Sequence, residues 1–510
     1  MSRIISGERE RSHVALAARA ARAAGALKAL GVGEDDSIAL LLRNDFELFE
    51  VNMAASLLGA YAVPLNWHFT AEEAGYILRD SGAKALVAHA DLLAKVKDAI
   101  PSGVKVLAVD TPPDIATAYG VSADQAKAPS GVATWDAFLS DATPHTAPPP
   151  ASRGSMIYTS GTTGKPKGVR RQPTPPEVQQ SMMDQIAEVW GLKAGPDNVV
   201  LMNGPMYHSA PAAYGMVSAR LGLTIVLQPR FEAEDMLRLI QRHKVSHMHI
   251  VPTMFVRLTR LPDEVKRKYD VSSLRFLTHG AAPCAPAVKK AMIEWWGPVI
   301  NEYYGATETG VVVWHTSEEA LKKPGTVGRV VPGGVLRIVD EQGRDVKQGD
   351  VGEIFLRAPG LSDFTYNNDD AKRRDVALGD LVTVGDVGYM DADGYLFLCD
   401  RKRDMIISGG VNIYPAEIES VLIQMPGVRD CAVFGIPDEE FGEAICAYIQ
   451  PIGGNAISAG DVRVYLAERL AKYKIPKVVE FTPELPREDS GKIFKRKLRQ
   501  PYWEKAGRAI

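Results

Sequence analysis

The residues from Tyr158 to Gly168 carry the strongest chemical signal in the chain. They read Tyr-Thr-Ser-Gly-Thr-Thr-Gly-Lys-Pro-Lys-Gly and follow the apolar pair Met156-Ile157. Glycines without a Cβ let backbone N–H groups point together at an anion, while hydroxyl and ammonium groups add further donors. Pro166 rules out the Walker arrangement, in which Gly-Lys-Ser/Thr opens a helix. The sequence therefore predicts a polyphosphate-binding loop, and the alternative is a simple surface loop.

The segment from Asn301 to Glu308 contains a second set of groups suited to a nucleotide. It holds two adjacent tyrosines, a glycine, a hydroxyl and a carboxylate. A purine could stack on the ring of Tyr304, and the Glu308 carboxylate is an oxygen ligand of the kind that Mg²⁺ prefers. Thr159 in the first loop could offer the metal another oxygen. Taken alone, the segment has a plain alternative in which Tyr304 belongs to the core.

Three separate residues further along the chain are also chemical candidates. Asp386 follows Gly385 at a predicted turn, where its carboxylate could accept hydrogen bonds from ribose hydroxyls, and Arg401 adds a cation nearby in the sequence. Lys492 lies on a glycine-containing loop near the C-terminus. Each has a plain alternative, namely a turn former, a solvated charge or one more exposed lysine.

Composition and charge exclude several classes of protein. The 510 residues are 46% hydrophobic and 24% charged, with a net charge of −3, which favours a globular protein of two or more domains without a nucleic-acid partner. The four cysteines are far apart in the sequence, so we expect reduced thiols and no Cys/His metal site. The N-terminus lacks a signal-peptide core, and no apolar stretch is long enough to span a bilayer. We therefore expect a cytoplasmic monomer or homodimer.

Apolar runs alternate with helical patterns along the first part of the chain, which predicts an α/β fold of helix-covered parallel sheets. The predicted strands are 37–42, 61–65, 85–88, 104–109, 199–201, 224–227 and 247–251, and the predicted helices are 9–30, 46–59, 231–243 and 286–296. Residues 110–152, rich in Pro, Ala and Thr, are interpreted as a surface excursion.

The second part of the chain has a different pattern. Residues 325–400 alternate in polarity between glycine-rich turns, which predicts a small antiparallel, β-barrel-like subdomain. A charged run at 400–404 precedes a compact βαβ-like unit with a helix at 415–425 and a strand at 431–434. We therefore predict a large N-terminal domain, 1–400, whose β-rich subdomain covers about 325–400. A small α+β C-terminal domain would cover 401–510.

Taken together and in this order, the motifs resemble those of the AMP-forming adenylate-forming superfamily of acyl-CoA synthetases, adenylation domains and luciferases. The resemblance covers nearly the whole chain, and the phosphate loop matches without a departure. The other matching segments are Pro205 to His208, Gly280 to Pro283, Tyr304 to Glu308, Val384 to Asp386, Arg401 to Gly410 and Ser490 to Lys492. Three positions depart from the family pattern: Val384 replaces a commoner Thr, Asp400 replaces a Gly, and Arg403 replaces the usual Asp or Lys of the hinge.

The resemblance implies that the C-terminal domain is a mobile lid. It also implies a reaction in two steps and a role for each motif. A carboxylate attacks the α-phosphorus of ATP and releases pyrophosphate, and a thiol, CoA, then takes the acyl group. Lys492, Glu308 and Thr307 would be the catalytic residues, and Glu308 and Thr159 would hold Mg²⁺. The implied ATP-binding residues are Thr159, Ser160, Gly161, Thr162, Thr163, Gly164, Lys165, Lys167, Gly280, Ala281, Ala282, Asn301, Tyr304, Gly305, Asp386 and Arg401.

The acid and its acceptor are less closely defined by the resemblance. The expected acyl pocket consists of Tyr207, His208, Ala212, Ala213, Met254, Phe255, His279, Ala306, Val311 and Trp314. It has no carboxylate to hold an α-amino group, so a fatty or other bulky hydrophobic acid is favoured, with aryl acids left open. Ser408, Gly409 and Gly410 would leave room for the pantetheine arm of CoA, and Arg403 would be the hinge. A separate carrier protein remains the alternative acceptor.

Overall fold

A computed structural model describes residues 2–159, 166–453, 457–487 and 493–506. Its strands are β1 (Arg3–Ser6), β2 (Arg9–Ser12), β3 (Ser37–Leu41), β4 (Tyr61–Pro64), β5 (Ala83–His89), β6 (Lys105–Val109), β7 (Ala133–Thr134), β8 (Ile157–Thr159), β9 (Lys167–Arg171), β10 (Val199–Met202), β11 (Thr224–Leu227), β12 (His247–Ile250), β13 (Phe276–His279), β14 (Ile300–Ala306), β15 (Gly310–His315), β16 (Arg329–Val330), β17 (Val335–Val339), β18 (Gly352–Arg357), β19 (Phe364–Tyr366), β20 (Ala377–Leu378), β21 (Leu381–Val382), β22 (Asp386–Met390), β23 (Leu396–Arg401), β24 (Ile406–Ser408), β25 (Val411–Ile413), β26 (Val428–Asp438), β27 (Gly442–Pro451) and β28 (Val478–Phe481).

The helices alternate with these strands over most of the chain. They are α1 (His13–Ala29), α2 (Phe46–Leu58), α3 (Ala71–Asp80), α4 (Ala90–Val96), α5 (Pro113–Tyr119), α6 (Trp135–Ser140), α7 (Pro176–Val189), α8 (Ser209–Arg220), α9 (Ala233–His243), α10 (Pro252–Thr259), α11 (Asp263–Lys268), α12 (Pro286–Trp296), α13 (Ser317–Lys322), α14 (Asp370–Asp375), α15 (Pro415–Leu422), α16 (Ala459–Ala467) and α17 (Lys495–Lys505), with short 3₁₀ turns at Lys97–Ala99 and Lys472–Lys474. None of the helices in these described ranges is both long and apolar enough to cross a bilayer.

The largest sheet has the strand order β16-β15-β14-β13-β12-β10-β11-β1-β2. Its centre, from β11 through β10, β12 and β13 to β14, is parallel. The central strands are largely buried and helices connect them, and β10 and β11 are nearly continuous apolar runs, as expected for a parallel sheet covered on both faces. The α/β fold predicted from the sequence is therefore confirmed.

A second parallel sheet, β4-β3-β5-β6-β7, contains part of the segment that we interpreted as a surface excursion. β7 pairs with β6 at the edge of this sheet. Trp135, at the start of α6, is 1% exposed, and its indole N–H donates to Glu50 Oε2 at 2.8 Å. The surface interpretation of 110–152 was therefore wrong for this part, because a short edge strand and one aromatic anchor bring it into the core.

The N-terminal helix begins later than its composition suggests. Residues 9–12 pair with β1 as the antiparallel strand β2. Ser12 then caps α1, since its hydroxyl accepts a hydrogen bond from Ala15 N at 3.1 Å. The predicted helix 9–30 therefore covers α1 and, at its beginning, a strand.

Between the parallel sheets and the C-terminus the chain is mostly antiparallel, as predicted. One sheet joins β17 to β18 and orders the others as β20-β21-β18-β22-β23, and a smaller sheet, β19-β9-β8, joins the segment flanking the phosphate loop to β19. After the charged run, β26 and β27 form a long antiparallel hairpin and β28 pairs parallel with β27. The C-terminal unit is therefore α+β: its central pairing is a hairpin, and a βαβ crossover is formed by β27, α16 and β28 rather than around the predicted helix 415–425. The boundary at residue 400 remains a prediction.

Candidate active site

A cleft of about 2860 Å³ lies between the large sheet and the C-terminal elements. Its walls come from β8 and β9, from the beginning of α8, from the end of β14 and from β22 and β23, and it is closed by α15 and α17. We call this cavity the central cleft. The fold thus brings motifs that are more than three hundred positions apart in the sequence to one cavity.

The hairpin β8–β9 carries the ends of the phosphate loop to the cleft. Thr159 and Lys167 are paired across the two strands, and both line the cleft. The Lys167 ammonium donates to Asp369 Oδ2 at 2.7 Å, so its charge is already balanced. The predicted ATP-binding residues Ser160, Gly161, Thr162, Thr163, Gly164 and Lys165 lie outside the described residues.

Thr307 and Glu308 form a turn directly after β14, and both line the cleft. Gly305 lets β14 bulge against β15 at this point, because a Cβ there would lie 1.9 Å from Gly310 O. Ser209 Oγ lies 2.9 Å from Thr307 Oγ1. Glu308 accepts a hydrogen bond from the Tyr366 hydroxyl at 3.2 Å, and burial nevertheless raises the pKa of its carboxyl above the ordinary value.

Tyr304, Asp386 and Arg401 form a connected polar group on another wall of the cleft. The Tyr304 hydroxyl donates to Asp386 Oδ2 at 2.7 Å, and Arg401 Nε lies 3.3 Å from Asp386 Oδ1. Asp386 and Arg401 are also register partners of β22 and β23. The predicted aromatic and ribose motifs are therefore in direct contact, although each was inferred from a different part of the sequence.

The loop at the end of β13 is only partly in the cleft. Ala281 and Ala282 line it, and Ala281 adopts a left-handed backbone conformation with φ of 68°. Gly280 lies against Tyr303, where a Cβ would approach the ring to 2.7 Å. Asn301 does not line the cleft, because its amide donates to the carbonyl oxygens of Leu277 and Val299 at 3.2 Å each. It therefore contacts neighbouring strand ends rather than the cavity.

The predicted acyl-pocket residues fall into two groups. Seven of them line the cleft: Tyr207, His208, Ala212, Ala213, Met254, Ala306 and Val311. Phe255 and His279 are 0% exposed and pack edge to face, with ring centroids 5.2 Å apart, behind that lining. Trp314 lies on β15, opposite Tyr303, and is also absent from the lining. We correct the prediction for these three residues, because the sequence of α10, β13 and β15 does not indicate which of their side chains face the cavity.

The C-terminal elements approach the cleft with one face. Arg403 lines it, and so do Arg487 and Ile493, which flank the predicted catalytic loop. Lys492 itself lies outside the described residues. Ser408, Gly409 and Gly410 form the turn between β24 and β25 and do not line the cleft. The segments on either side of Lys492, rather than the predicted CoA path, therefore face the cavity.

The residues near Glu308 fit a magnesium ion that is held mainly by a nucleotide. Within residues 2–159, 166–453, 457–487 and 493–506, no group of three or more His, Cys, Asp or Glu side chains could hold a metal. Mg²⁺ commonly uses one or two protein carboxylates together with substrate phosphates and water, rather than a complete protein cage. Glu308 suits this role, since a buried carboxylate gains from a cation beside it.

Several residues that shape the site were missed by the sequence interpretation. Arg171 donates to the backbone carbonyls of Thr307 and Glu308, and Tyr366 donates to Glu308. An arginine in a short strand next to the phosphate loop was a possible signal for Arg171. Nothing near Tyr366 in the sequence pointed to Glu308, because the contact depends on the pairing of β19 with β9.

Comparison with known proteins relates this geometry to a family. The model of the AMP-binding enzyme family matches residues 2–363, and the model of the AMP-binding enzyme C-terminal domain matches residues 417–492. The two matched segments follow one another along the chain, and residues from both line the central cleft.

Relatives match over nearly their full length. An indoleacetate–CoA ligase from Aromatoleum aromaticum is 33% identical, over 97% of this chain and 93% of its own. A long-chain-fatty-acid–CoA ligase from Mycobacterium tuberculosis is 33% identical, over 95% and 92%. A fatty acid–[acyl-carrier-protein] ligase from Streptomyces coeruleorubidus is 30% identical, over 96% and 91%.

Solved structures share the fold. The o-succinylbenzoate CoA synthetase of Bacillus subtilis, in complex with its acyl-adenylate intermediate, has a TM-score of 0.80 at 28% identity, covering 97% of this chain and 94% of that one. ATP-bound MatB from Rhodopseudomonas palustris has a TM-score of 0.83 at 28% identity, with coverage of 98% and 96%. The chain therefore belongs to the AMP-binding enzyme family and is an enzyme of the adenylate-forming acyl-CoA synthetase superfamily.

Proposed function

We propose that this enzyme is an ATP-dependent, AMP-forming acid:CoA ligase for carboxylic acids with a long or bulky apolar body. The observation that carries the proposal is the composition of the central cleft. The polar group Tyr304–Asp386–Arg401 and the Thr307–Glu308 turn lie on its walls together with the phosphate hairpin, and an apolar branch leaves from the same cavity. Family membership supports the reaction type, and the relatives' names support CoA as the acceptor.

In the first step, a carboxylate oxygen of the acid attacks the α-phosphorus of ATP. The bond between the α-phosphorus and the bridging oxygen breaks, and pyrophosphate leaves with the electron pair. Thr307 would contact the α-phosphate, and Lys492 would bridge the carboxylate and phosphate oxygens, because fixed donors stabilise charge that grows in the transition state. Glu308, with Thr159, would hold Mg²⁺, which neutralises phosphate charge when bound. Asp386 would accept hydrogen bonds from the ribose hydroxyls.

In the second step, the thiol of CoA attacks the acyl carbon and AMP leaves. Ser408, Gly409 and Gly410 would then have to reach the cleft, with the chain turning near Arg403. The arrangement in the structure favours the first step, since Arg487 and Ile493 line the cleft and the 408–410 turn does not. The hinge, the CoA path and the domain boundary at residue 400 are parts of this proposal.

An apolar branch of the central cleft supports the proposed class of acid. It runs along α8, and the lining residues on that helix are Ser209, Ala210, Pro211, Ala212, Ala213, Met216, Ala219 and Arg220. The cleft is also lined by α7, through Pro176, Gln179, Met182, Met183 and Ile186, and by α2, through Asn52, Met53, Ser56 and Leu57, so apolar side chains outnumber polar ones over the two helices together. The segment of α8 between the lining residues Ser209 and Arg220 is about 16 Å long, because an α-helix rises about 1.5 Å per residue.

The side chains that line this branch support the proposed class of acid. Small alanine side chains leave width, and flexible methionines adapt to different shapes. The lining residues of α8 carry no charge before Arg220, whose guanidinium donates to Gln180 at 2.5 Å. The branch therefore suits an alkyl chain or a fused-ring body better than a short polar acid.

A pyrophosphate-release assay with a panel of acids tests the proposed reaction and substrate class. The panel contains butyric, octanoic, dodecanoic, hexadecanoic, cinnamic and cholic acids, each with and without CoA. We expect release with the larger apolar acids and formation of a CoA thioester when CoA is present. Activity confined to butyric acid would contradict the proposed class, and pyrophosphate release without any thioester would contradict CoA as acceptor.

Two matched substitutions on α8 locate the acid within the branch. Ala213→Trp, near the Thr307 end, should abolish turnover of dodecanoic and hexadecanoic acids while butyric acid is retained as a poor substrate. Ala219→Trp, at the far end, should reduce turnover of hexadecanoic acid only. If both variants retain the wild-type profile, the acid does not occupy this branch.

Loading of a carrier protein is the second candidate function, because one of the relatives is named as a fatty acid–[acyl-carrier-protein] ligase. CoA and a carrier protein present the same pantetheine thiol, so the first step does not distinguish them. Parallel assays with free CoA and with a phosphopantetheine-loaded carrier protein decide between them. A clearly higher kcat/KM for the carrier protein would replace CoA as the proposed acceptor.

A further inference from the structure

Arg171 occupies a special position at the end of β9, on the strand that leaves the phosphate loop. Its guanidinium nitrogens donate to three backbone carbonyls, namely Ser362 O at 2.9 Å, Glu308 O at 3.1 Å and Thr307 O. Two of these carbonyls belong to the turn whose side chains line the central cleft. Arg171 therefore connects the phosphate hairpin to that turn directly.

The guanidinium of Arg171 has unusual surroundings for a partly buried cation. Among the described residues, no carboxylate oxygen lies within salt-bridge distance of its guanidinium, whereas Arg373, beside the same Phe364 ring, pairs with Asp363 at 2.8 Å. Burial lowers the pKa of Arg171 to about 10, and the nearby charge of Glu308 opposes that shift. The cation is thus bound through carbonyl groups and remains close to Glu308.

The geometry makes these contacts specific to a guanidinium. The planar fork of arginine presents several N–H donors in fixed directions, so one side chain can hold the carbonyls of Thr307, Glu308 and Ser362 at once. A lysine at the same place carries the same charge but is a compact point charge without that fork. The direction of a backbone carbonyl fixes the peptide plane, and the planes at Thr307 and Glu308 determine where their side chains point.

We propose that Arg171 is a positioning residue for the adenylation step, which holds the Thr307–Glu308 turn so that Thr307 Oγ1 and the Glu308 carboxylate meet the α-phosphate and its magnesium ion. The proposal rests on the proposed function, because it assigns those two roles to the turn. Arg171 also lines the central cleft, but its guanidinium nitrogens donate to the backbone carbonyls of Ser362, Thr307 and Glu308. Its effect is exerted through the backbone, and misplacement of a catalytic group by about 1 Å can reduce a rate by about two orders of magnitude.

The test compares Arg171→Lys and Arg171→Met with the wild type in pyrophosphate release, at a series of Mg²⁺ concentrations and with saturating ATP and acid. We expect both variants to lose about 10- to 100-fold in kcat and to need several-fold more Mg²⁺ for half-maximal rate, with little change in KM for the acid. Arg373→Met is the matched control, because Arg373 packs on the same ring without contacting the turn. It should keep the wild-type Mg²⁺ dependence.

Chemical rescue gives an independent readout. Guanidinium ion, added at concentrations that do not unfold the protein, should restore part of the activity of Arg171→Ala and none of that of Arg373→Ala. Full activity of Arg171→Lys would overturn the proposal, because charge alone would then suffice. A lower Tm of Arg171→Lys with an unchanged Mg²⁺ dependence would also overturn the proposal. The same holds if guanidinium ion does not restore any activity of Arg171→Ala. Wild-type enzyme that releases no pyrophosphate with any acid would instead contradict the proposed function, and Mg·ATP binding by calorimetry would then decide whether Arg171→Lys alters the site.

Discussion

Ser209 Oγ and Thr307 Oγ1 lie 2.9 Å apart and form a hydrogen bond between the beginning of α8 and the turn after β14. Ser209 directly follows His208, and α8, which begins at Ser209, lines the apolar branch. Thr307 is the residue that we assign to the α-phosphate. One polar contact therefore joins the proposed position of the acid to the proposed phosphate contact.

Ser209→Ala should slow adenylation by about fivefold, because loss of a hydrogen bond of about 1 kcal/mol leaves the Thr307 hydroxyl free to rotate. We expect the change mainly in kcat for pyrophosphate release. Ser218→Ala is the control on the same helix, since the Ser218 hydroxyl donates to Tyr214 O within α8. An equal effect of the two substitutions would mean that α8 stability, rather than the link to Thr307, is responsible.

Tyr304→Phe should raise KM for ATP by about 3- to 10-fold with a smaller effect on kcat, because the substitution removes a donor that orients Asp386. The Tyr304 hydroxyl donates to Asp386 Oδ2 at 2.7 Å, and Arg401 lies beside the other oxygen. Steady-state kinetics at varied ATP measures the effect. Tyr389→Phe is a matched control, since Tyr389 also lines the cleft. Its ring stacks on that of Phe397, with the two ring centroids 5.1 Å apart. An unchanged KM in Tyr304→Phe would remove Asp386 from the proposed ribose contact.

The sequence predicted the parts of the site that form continuous motifs. Thr159, Lys167, Thr307, Glu308 and Asp386 all line the cleft, and their chemistry was inferred from local spacing. The α/β class was predictable as well, because buried apolar runs alternate with helices. Local patterns of this kind are dictated by residues close together in the chain, so one sequence is enough to detect them.

The sequence did not predict contacts that depend on strand pairing. Tyr366 reaches Glu308 only because β19 pairs with β9, and Arg171 reaches the same turn across sheets. Phe255 and His279 were placed in the acyl pocket, but they pack behind its wall. Which side of a helix or strand borders a cavity is set by tertiary packing, and a short apolar segment does not indicate it.

Acid should destabilise the protein through buried neutral histidines, of which His249 is an example. Its side chain is enclosed beside Tyr303, whose hydroxyl lies 2.9 Å from His249 Nε2, and burial lowers its pKa from 6.5 to about 3. Below about pH 6.5 this histidine is protonated in the unfolded chain but stays neutral in the folded protein. The free energy of unfolding therefore falls as the pH decreases from about 6.5 towards 3. One such histidine costs about 2 kcal/mol at pH 5.

His249→Gln should remove this share of the acid sensitivity, because glutamine does not titrate. Urea unfolding at pH 7.5 and at pH 5 measures it: the loss of stability between the two values should be smaller in His249→Gln than in the wild type. If His249→Gln loses as much stability between pH 7.5 and pH 5 as the wild type does, His249 is not a source of the acid sensitivity.

Asp400→Gly should speed the thioester step relative to adenylation. Asp400 Oδ2 accepts a hydrogen bond from Ala416 N at 2.9 Å, at the beginning of α15. It also lies near Lys495, which pairs with Glu419 at 2.8 Å. Lys495 follows Lys492 by three positions, so these contacts hold the elements next to the catalytic loop against β23. If the chain turns near Arg403 between the two steps, the Asp400–Ala416 hydrogen bond must break, and glycine would remove about 1 kcal/mol of resistance.

Two single-turnover measurements separate the half-reactions. Pyrophosphate release without CoA reports adenylation, and mixing of preformed acyl-adenylate enzyme with CoA reports thioester formation. We expect Asp400→Gly to raise the second rate about 2- to 10-fold relative to the first. Arg403→Pro should do the opposite, retaining adenylation while slowing thioester formation, because proline fixes φ at the proposed hinge. An equal change of both half-reactions in the two variants would mean that neither Asp400 nor Arg403 controls a turn of the chain between the steps.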